Sequence, residues 1–331
     1  MYVITMYDFD TAKDLFEKAI NDRITENDID IIISWPVAEA SVLFACADKV
    51  RRHFLSNAIH PCAIMNIKSG GCSENCAFCS QSAHNSAKVS VQALSSKEEI
   101  IAAYETACEN DLAFGVVSSG KKLSSEEIET VAAALKECKD RFGNSTHASL
   151  GILTGDEFSM LRDAGVVCYN HNLETSRRYF EEIVTTHSYD QRIETVKLAK
   201  KAGMRTCCGG IFGMGETWED RKALCLELKD LDVDTIPLNF LNPVPGTSVE
   251  APKESPLEFL KIISLFRLVH PRKSIKVCGG REVHLGKLQG LMFYAGANGD
   301  ISGDYLTTPG DSVESDDEII GMLGLEKTRD Q

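Results

Sequence analysis

From about residue 60 to residue 295, short apolar runs alternate with segments whose apolar residues recur at helical spacing, and this rhythm restricts the possible folds more than any single residue does. The runs near Ala63–Ile67, Phe114–Ser118, His147–Ile152, Val166–His171, Arg205–Ile211, Ile236–Leu241, Ile275–Cys278 and Leu291–Ala295 read as eight strands. A strand followed by an amphipathic helix, repeated without interruption, is the habit of βα units around a parallel sheet. In the segment Ser125–Cys138, for example, Ile128, Val131, Leu135 and Cys138 share one helical face, and Ser124 or Ser125 can cap it ahead of Glu126 and Glu127. Eight such units predict an α/β chain folded as a (β/α)8 barrel of the TIM type, whose site would lie at the C-terminal mouth of the strands.

Residues 1–58 read as a helical extension, periodic over Thr11–Ile20 and Val37–Phe54, that caps or covers the barrel at 59–310. Residues 311–331 carry Asp311, Glu314, Asp316, Asp317 and Glu318 and read as a final helix with a frayed acidic tail, part of the same single domain. The opening MYVITMYDFDTAKDLFEKAI has no cationic lead and no sustained apolar stretch, so neither a signal peptide nor a membrane span is expected, and the expected location is cytoplasmic. A net charge of −14 argues against a nucleic-acid partner, because phosphate binding needs a clustered positive field.

Twelve cysteines in a chain of this length are too sparse for a disulfide scaffold and favour metal binding. Three of them fall in Ile67-Lys-Ser-Gly-Gly-Cys72-Ser-Glu-Asn-Cys76-Ala-Phe-Cys79, directly after an apolar strand. Thiolates select iron–sulfur clusters or zinc, and Gly70 and Gly71 let the backbone wrap closely around a bulky group. Zinc would need a fourth ligand; His84 is the nearby candidate, at no familiar zinc spacing. Three ligands on a [4Fe-4S] cube leave one iron open, able to chelate the amino and carboxylate groups of S-adenosylmethionine. The C-x3-C-x2-C spacing of Cys72, Cys76 and Cys79 resembles that of the radical S-adenosylmethionine superfamily, in which an aromatic at the position of Phe78 lies beside the adenine.

Across roughly residues 60–327 the chain further resembles the biotin synthase family. Tyr169-Asn170-His171-Asn172-Leu173-Glu174-Thr175 matches a strand of that family most distinctively. The resemblance implies that Glu174 holds the cofactor ribose, that Asn172 lies between cofactor and substrate, and that Asn170 faces the substrate. Gly209-Gly210-Ile211-Phe212-Gly213-Met214-Gly215-Glu216 resembles the family's glycine-rich strand end beside the cofactor, and Thr185-Thr186 with Arg192 resembles a segment whose arginine pairs with the methionine carboxylate. Asn239 matches an asparagine at the substrate's ureido ring, and Leu306-Thr307-Thr308-Pro309 matches the backbone amides that receive its carboxylate. The implied substrate is dethiobiotin, and asparagine amides suit a cyclic urea because each offers a donor and an acceptor.

The resemblance also implies a sulfur-donating auxiliary cluster held by three cysteines and an arginine, and there the chain departs. Those positions read Gly115, His147, Cys207 and Lys276, so the usual two-iron cluster cannot be held in the usual way. Cys62 opens the first strand and Cys278 shares the inward face of Lys276 by the strand's period of two, so Cys62, Cys207 and Cys278 are expected to hold an altered auxiliary cluster, a four-iron one being a candidate. His147 is a rival ligand; Cys208 should point outward, and Cys168 should lie deeper in the barrel. Cys46, Cys108, Cys138 and Cys225 fall in helical segments and read as packing residues. The implied partners are dethiobiotin, a flavodoxin- or ferredoxin-type reductant and a second copy in a homodimer. The alternatives are another radical enzyme on the same barrel or an iron–sulfur electron carrier.

Overall fold

The computed structural model describes residues 7–143 and 146–329. Its strands are β1 (Ala58–Ile59), β2 (Cys62–Lys68), β3 (Ala113–Ser118), β4 (Thr146–Ser149), β5 (Val166–Asn170), β6 (Arg205–Cys207), β7 (Gly210–Phe212), β8 (Thr235–Phe240), β9 (Ser274–Val277), β10 (Gly299–Asp300) and β11 (Glu326–Lys327). The main sheet runs β10-β9-β8-β6-β5-β4-β3-β2, with β7 also on β8, and every pairing in it is parallel. The ring shuts where β10 meets β2: His60 N donates to Asn298 O at 2.8 Å, Ser302 N to Cys62 O at 2.9 Å, and Cys62 bridges Ile301. This is the expected α/β barrel.

The helices around it start from one recurring device. At Ser96/Glu99, Ser124/Glu127, Thr154/Glu157, Ser188/Gln191 and Thr217/Asp220, a hydroxyl accepts from the third helical N–H while that residue's side chain reaches back to the cap. Each cap contributes about 1 kcal/mol and places the helix start just past a strand end. The helix Pro256–Val269 is buried on nearly all sides because the helices Phe9–Ile20, Glu26–Ser34 and Ser41–Leu55 pack over it. In place of one helix over Val37–Phe54 there is a short 3-10 turn, Val37–Glu39, and then Ser41–Leu55.

Further sequence expectations fail, and the expected strand Arg205–Ile211 is split into β6 and β7. Leu291–Ala295 is no strand: Leu291–Tyr294 is a helical turn that drives Met292 and Phe293 into the core. An apolar run bounded by Gly290 and Gly296 fits either element. The eighth strand is β10, too short and polar to announce itself, and Gly299 lies in it because a Cβ there would stand 2.5 Å from His60 O. The C-terminal segment is ordered as far as Arg329, and the last two positions of the expected tail lie outside the described residues. Helix Val313–Met322 buries Asp316, which accepts from Arg281 and Ser302 Oγ at 2.8 Å, and β11 pairs with β1 through Glu326 N to Asn57 O at 2.9 Å. Among the described residues no helix is long and apolar enough to cross a membrane.

Candidate active site

Two chambers open inside the mouth of the barrel. The outer one, about 310 Å³, is bounded by the loop after β2. Gly70 and Gly71 take left-handed conformations, with φ of +74° and +63°, that turn the chain back on itself. Cys72 N then donates to Gln81 O at 3.0 Å and Ala83 N to Cys72 O at 2.8 Å, while Asn85 Nδ2 gathers the carbonyls of Cys76 (3.1 Å) and Cys79 (2.8 Å). Cys72, Cys76 and Cys79 thereby face one cavity together with Phe78. Burial, and next the neighbouring Cys79, push the Cys76 thiol up to about 12; burial raises Cys79 as well. Cys76 and Cys79 so raised would ionise only beside a cation, which inverts the local electrostatics, so the donor set fits a bound cluster. Among the described residues no three Cys, His, Asp or Glu side chains converge on the position of a single metal ion. His84 is turned away from the thiols, its Nε2 lying 3.0 Å from Ser73 O.

The opposite wall carries Glu174, a non-glycine residue held at φ +71°. Its Oε1 accepts from Arg192 at 2.7 Å; its Oε2 is buried with no partner, an acceptor suited to a ribose hydroxyl. Burial raises its pKa above the ordinary carboxylate value, and Arg192 opposes the shift without cancelling it. Arg192 also donates to Asn172 O and meets His187 Nε2 at 3.1 Å, while His187 Nδ1 lies 2.5 Å from Glu74 Oε2. Arg192 is therefore no surface ion pair. It belongs to a chain, Glu74–His187–Arg192–Glu174, joining the cysteine loop to the opposite wall of the chamber. Sequence reasoning missed Glu74 and His187, although both sit inside segments singled out for other residues.

Gly209 and Gly210 are required by close approach, since a Cβ would lie 2.0 Å from Pro237 O at the first and 2.4 Å from Glu174 O at the second. Gly209 N then donates to Asn172 Oδ1 at 3.2 Å and Ile211 N to Glu174 O at 2.8 Å, which sets the wall's height. Glu174→Gln is expected to weaken S-adenosylmethionine binding about tenfold, the size of one charge-assisted hydrogen bond. Because the native pKa is raised, acidification protonates Glu174 early, so wild-type affinity should fall as pH drops through that raised value while the variant's stays flat. Equilibrium dialysis across pH reads both; parallel curves would remove Glu174 from the cofactor wall.

The inner chamber, about 280 Å³, shares Asn170, Asn172 and Asn239 with the outer one and continues to Tyr305, Thr307 and Thr308. Cys62, Cys207 and Cys278 all line it, as do Lys276 and His147. Cys278 is shifted well above the ordinary thiol value by burial first, then by Cys62 and Cys207, which places both of those thiols close enough to act on it. Asn170 Nδ2 reaches Cys207 Sγ at 3.3 Å, and Cys62 Sγ donates to Asp300 O at 3.3 Å. Gly115 pairs with His147 across β3 and β4, and a Cβ there would meet His147 Cβ at an ordinary contact distance of 3.5 Å. Cys208 points into the outer core as expected, whereas Cys168 lines the same chamber rather than a deeper layer. Cys46, Cys108, Cys138 and Cys225 all lie in helices. Asn239 donates to Gly210 O at 3.2 Å and accepts from Gly279 N at 3.1 Å, leaving one N–H and one lone pair for a ligand.

Residues 66–228 match the Radical SAM superfamily and residues 237–326 the Biotin and Thiamin Synthesis associated domain. The chain is 47% identical over 290 residues to the biotin synthase of Geobacter sulfurreducens, covering 87% of this chain and 88% of that one. The chain belongs to the biotin synthase family. A second biotin synthase, from Citrifermentans bemidjiense, is 43% identical over 320 residues and extends the match to 93% of this chain and 98% of its own. Among solved structures, methylornithine synthase (PylB) superposes with a TM-score of 0.83 over 95% of this chain and 97% of that one, at 21% identity. The hydrogenase maturase HydG from Carboxydothermus hydrogenoformans gives 0.81 over 96% of this chain and 79% of that one, at 16% identity. These two share the barrel, and the family assignment rests on the biotin synthases.

Proposed function

We propose that this sulfurtransferase of the biotin synthase family converts dethiobiotin to biotin, with Cys72, Cys76 and Cys79 holding a [4Fe-4S] cluster and Cys62, Cys207 and Cys278 holding an altered auxiliary cluster. What carries this is the pair of chambers meeting at Asn170, Asn172 and Asn239, one lined by Cys72, Cys76 and Cys79 and the other by Cys62, Cys207 and Cys278 together with Cys168. When bound, the first cluster and S-adenosylmethionine supply a hydrogen-abstracting organic radical, and the auxiliary cluster supplies sulfide.

The chain's own side chains orient and enclose. Glu174, Asn172 and the Gly209–Ile211 strand form the cofactor wall, Phe78 flanks the adenine, and Arg192 neutralises carboxylate charge beside the cysteine loop. Asn170 and Asn239 present amide groups to the ureido ring, while Thr307 and Thr308 receive the carboxylate at the far end. No side chain need act as acid or base; barrel walls that exclude water protect the reactive species. Gly115, His147 and Lys276 support an auxiliary centre different from the usual two-iron one, because a glycine cannot ligate and a lysine ammonium replaces a guanidinium. Electrons would come from a small flavodoxin- or ferredoxin-type protein.

The test is anaerobic reconstitution with iron and ³⁴S-sulfide, followed by reductant, S-adenosylmethionine and dethiobiotin. Biotin carrying the label is the expected product. 5′-Deoxyadenosine without biotin would point to another reaction on the same barrel, and biotin without label would remove the auxiliary cluster as donor.

A further inference from the structure

The substrate-facing segment 305–308 is gripped from the cysteine loop. Asn66, near the end of the strand that leads into that loop, donates its Nδ2 to Leu306 O at 2.9 Å. Ser80, the residue after Cys79, donates its Oγ to Thr307 Oγ1 at 3.1 Å. The other side of the segment is anchored separately: Tyr305 O–H donates to Glu282 at 2.6 Å, and buried Arg281 donates to the Tyr305 oxygen at 3.2 Å. Tyr305 N to Thr308 O, at 3.0 Å, closes the turn itself.

Asn66 stands out within its strand. It shares the inward parity of Cys62 and Ile64, which line the inner chamber, and its Oδ1 is buried with no hydrogen-bond partner. A buried acceptor left open costs free energy that the Leu306 bond alone only offsets in part. Fold stability therefore gives little reason for an asparagine here; placement of the Leu306 carbonyl gives one. With that carbonyl turned toward Asn66, the peptide plane that follows, which carries Thr307 N–H, is set relative to the chamber by the planarity of the backbone.

We propose that Asn66 and Ser80 are positioning residues that hold the 305–308 turn where its amides meet a substrate carboxylate, and so make the enzyme selective for the acid over its neutral analogues. This rests on the reading of Thr307 and Thr308 given above. Neither side chain touches the reacting carbons; both act through the turn.

The experiment compares half-saturating concentrations of dethiobiotin and of its methyl ester in reconstituted wild type, Asn66→Ala and Ser80→Ala. For the acid, Asn66→Ala should raise the half-saturating concentration about tenfold and Ser80→Ala about threefold, with the ester's value moving less than about twofold. Iron content, S-adenosylmethionine affinity and the rate at saturating substrate should stay near wild type. Should Asn66→Ala not fold, Ser80→Ala carries the test. Acid and ester weakening alike, or neither weakening, overturns the proposal alone. A wild type that does not distinguish acid from ester overturns the assignment of Thr307 and Thr308, and the proposal with it.

Discussion

Cys76→Ala is expected to abolish both S-adenosylmethionine cleavage and biotin formation, each by at least about a hundredfold, since losing a cluster ligand exceeds the tenfold to hundredfold effects of outer-shell changes. The thiol sits between Cys72 and Cys79 on a loop whose carbonyls are already collected by Asn85, so the loop should survive the loss of one Sγ. The protein should therefore remain folded, with its circular dichroism unchanged, while its iron content falls by one cluster and the auxiliary centre is retained. Persistence of cleavage in a variant with reduced iron would show that these three thiols are not the ligands that matter.

Cys207→Ala should separate the two activities. The residue lies on β6 in the inner chamber, beside Asn170 and in the field of Cys278, and the outer chamber does not include it. 5′-Deoxyadenosine formation should stay within about threefold of wild type while biotin formation falls at least about a hundredfold, again on the scale of ligand loss. Iron and sulfide should drop by the auxiliary share. Cys62→Ala and Cys278→Ala are expected to behave alike, because each thiol contributes to one shared centre. Unchanged iron and sulfide in all three would remove the altered cluster, and biotin formation surviving them would move the sulfur source elsewhere.

Much of this arrangement was legible in the sequence because it follows from periodicity. The period of two put Lys276 and Cys278 on one inward face, and both line the inner chamber. The serine ahead of two glutamates at Ser124 marked a helix start that the structure caps in the same way. Cys62 at the head of a strand, Cys207 on another and Cys278 just past a third were brought together by strand order alone, which a repeated βα rhythm dictates. What stayed hidden was set by contacts between segments distant in sequence. β10 is only a glycine and an aspartate, and its existence depends on His60 and Lys276 packing against a residue without a Cβ. The Glu74–His187–Arg192–Glu174 chain joins residues more than a hundred positions apart, and no local pattern encodes the pairing of a loop glutamate with that histidine. The C-terminal segment read as a helix with a frayed acidic tail, yet Asp316 in that helix is buried against Arg281, because charge composition does not reveal a partner contributed by the helical turn Arg281–His284.

Cys72, Cys76 and Cys79 are expected to leave one iron of a cluster open for the carboxylate and amine of S-adenosylmethionine. Electron–nuclear double resonance on anaerobically reduced protein with ¹⁷O-carboxylate-labelled S-adenosylmethionine addresses it directly. A resolved ¹⁷O hyperfine coupling to the cluster is predicted, lost in Cys76→Ala; protein with a full cluster that gives no such coupling would contradict the account.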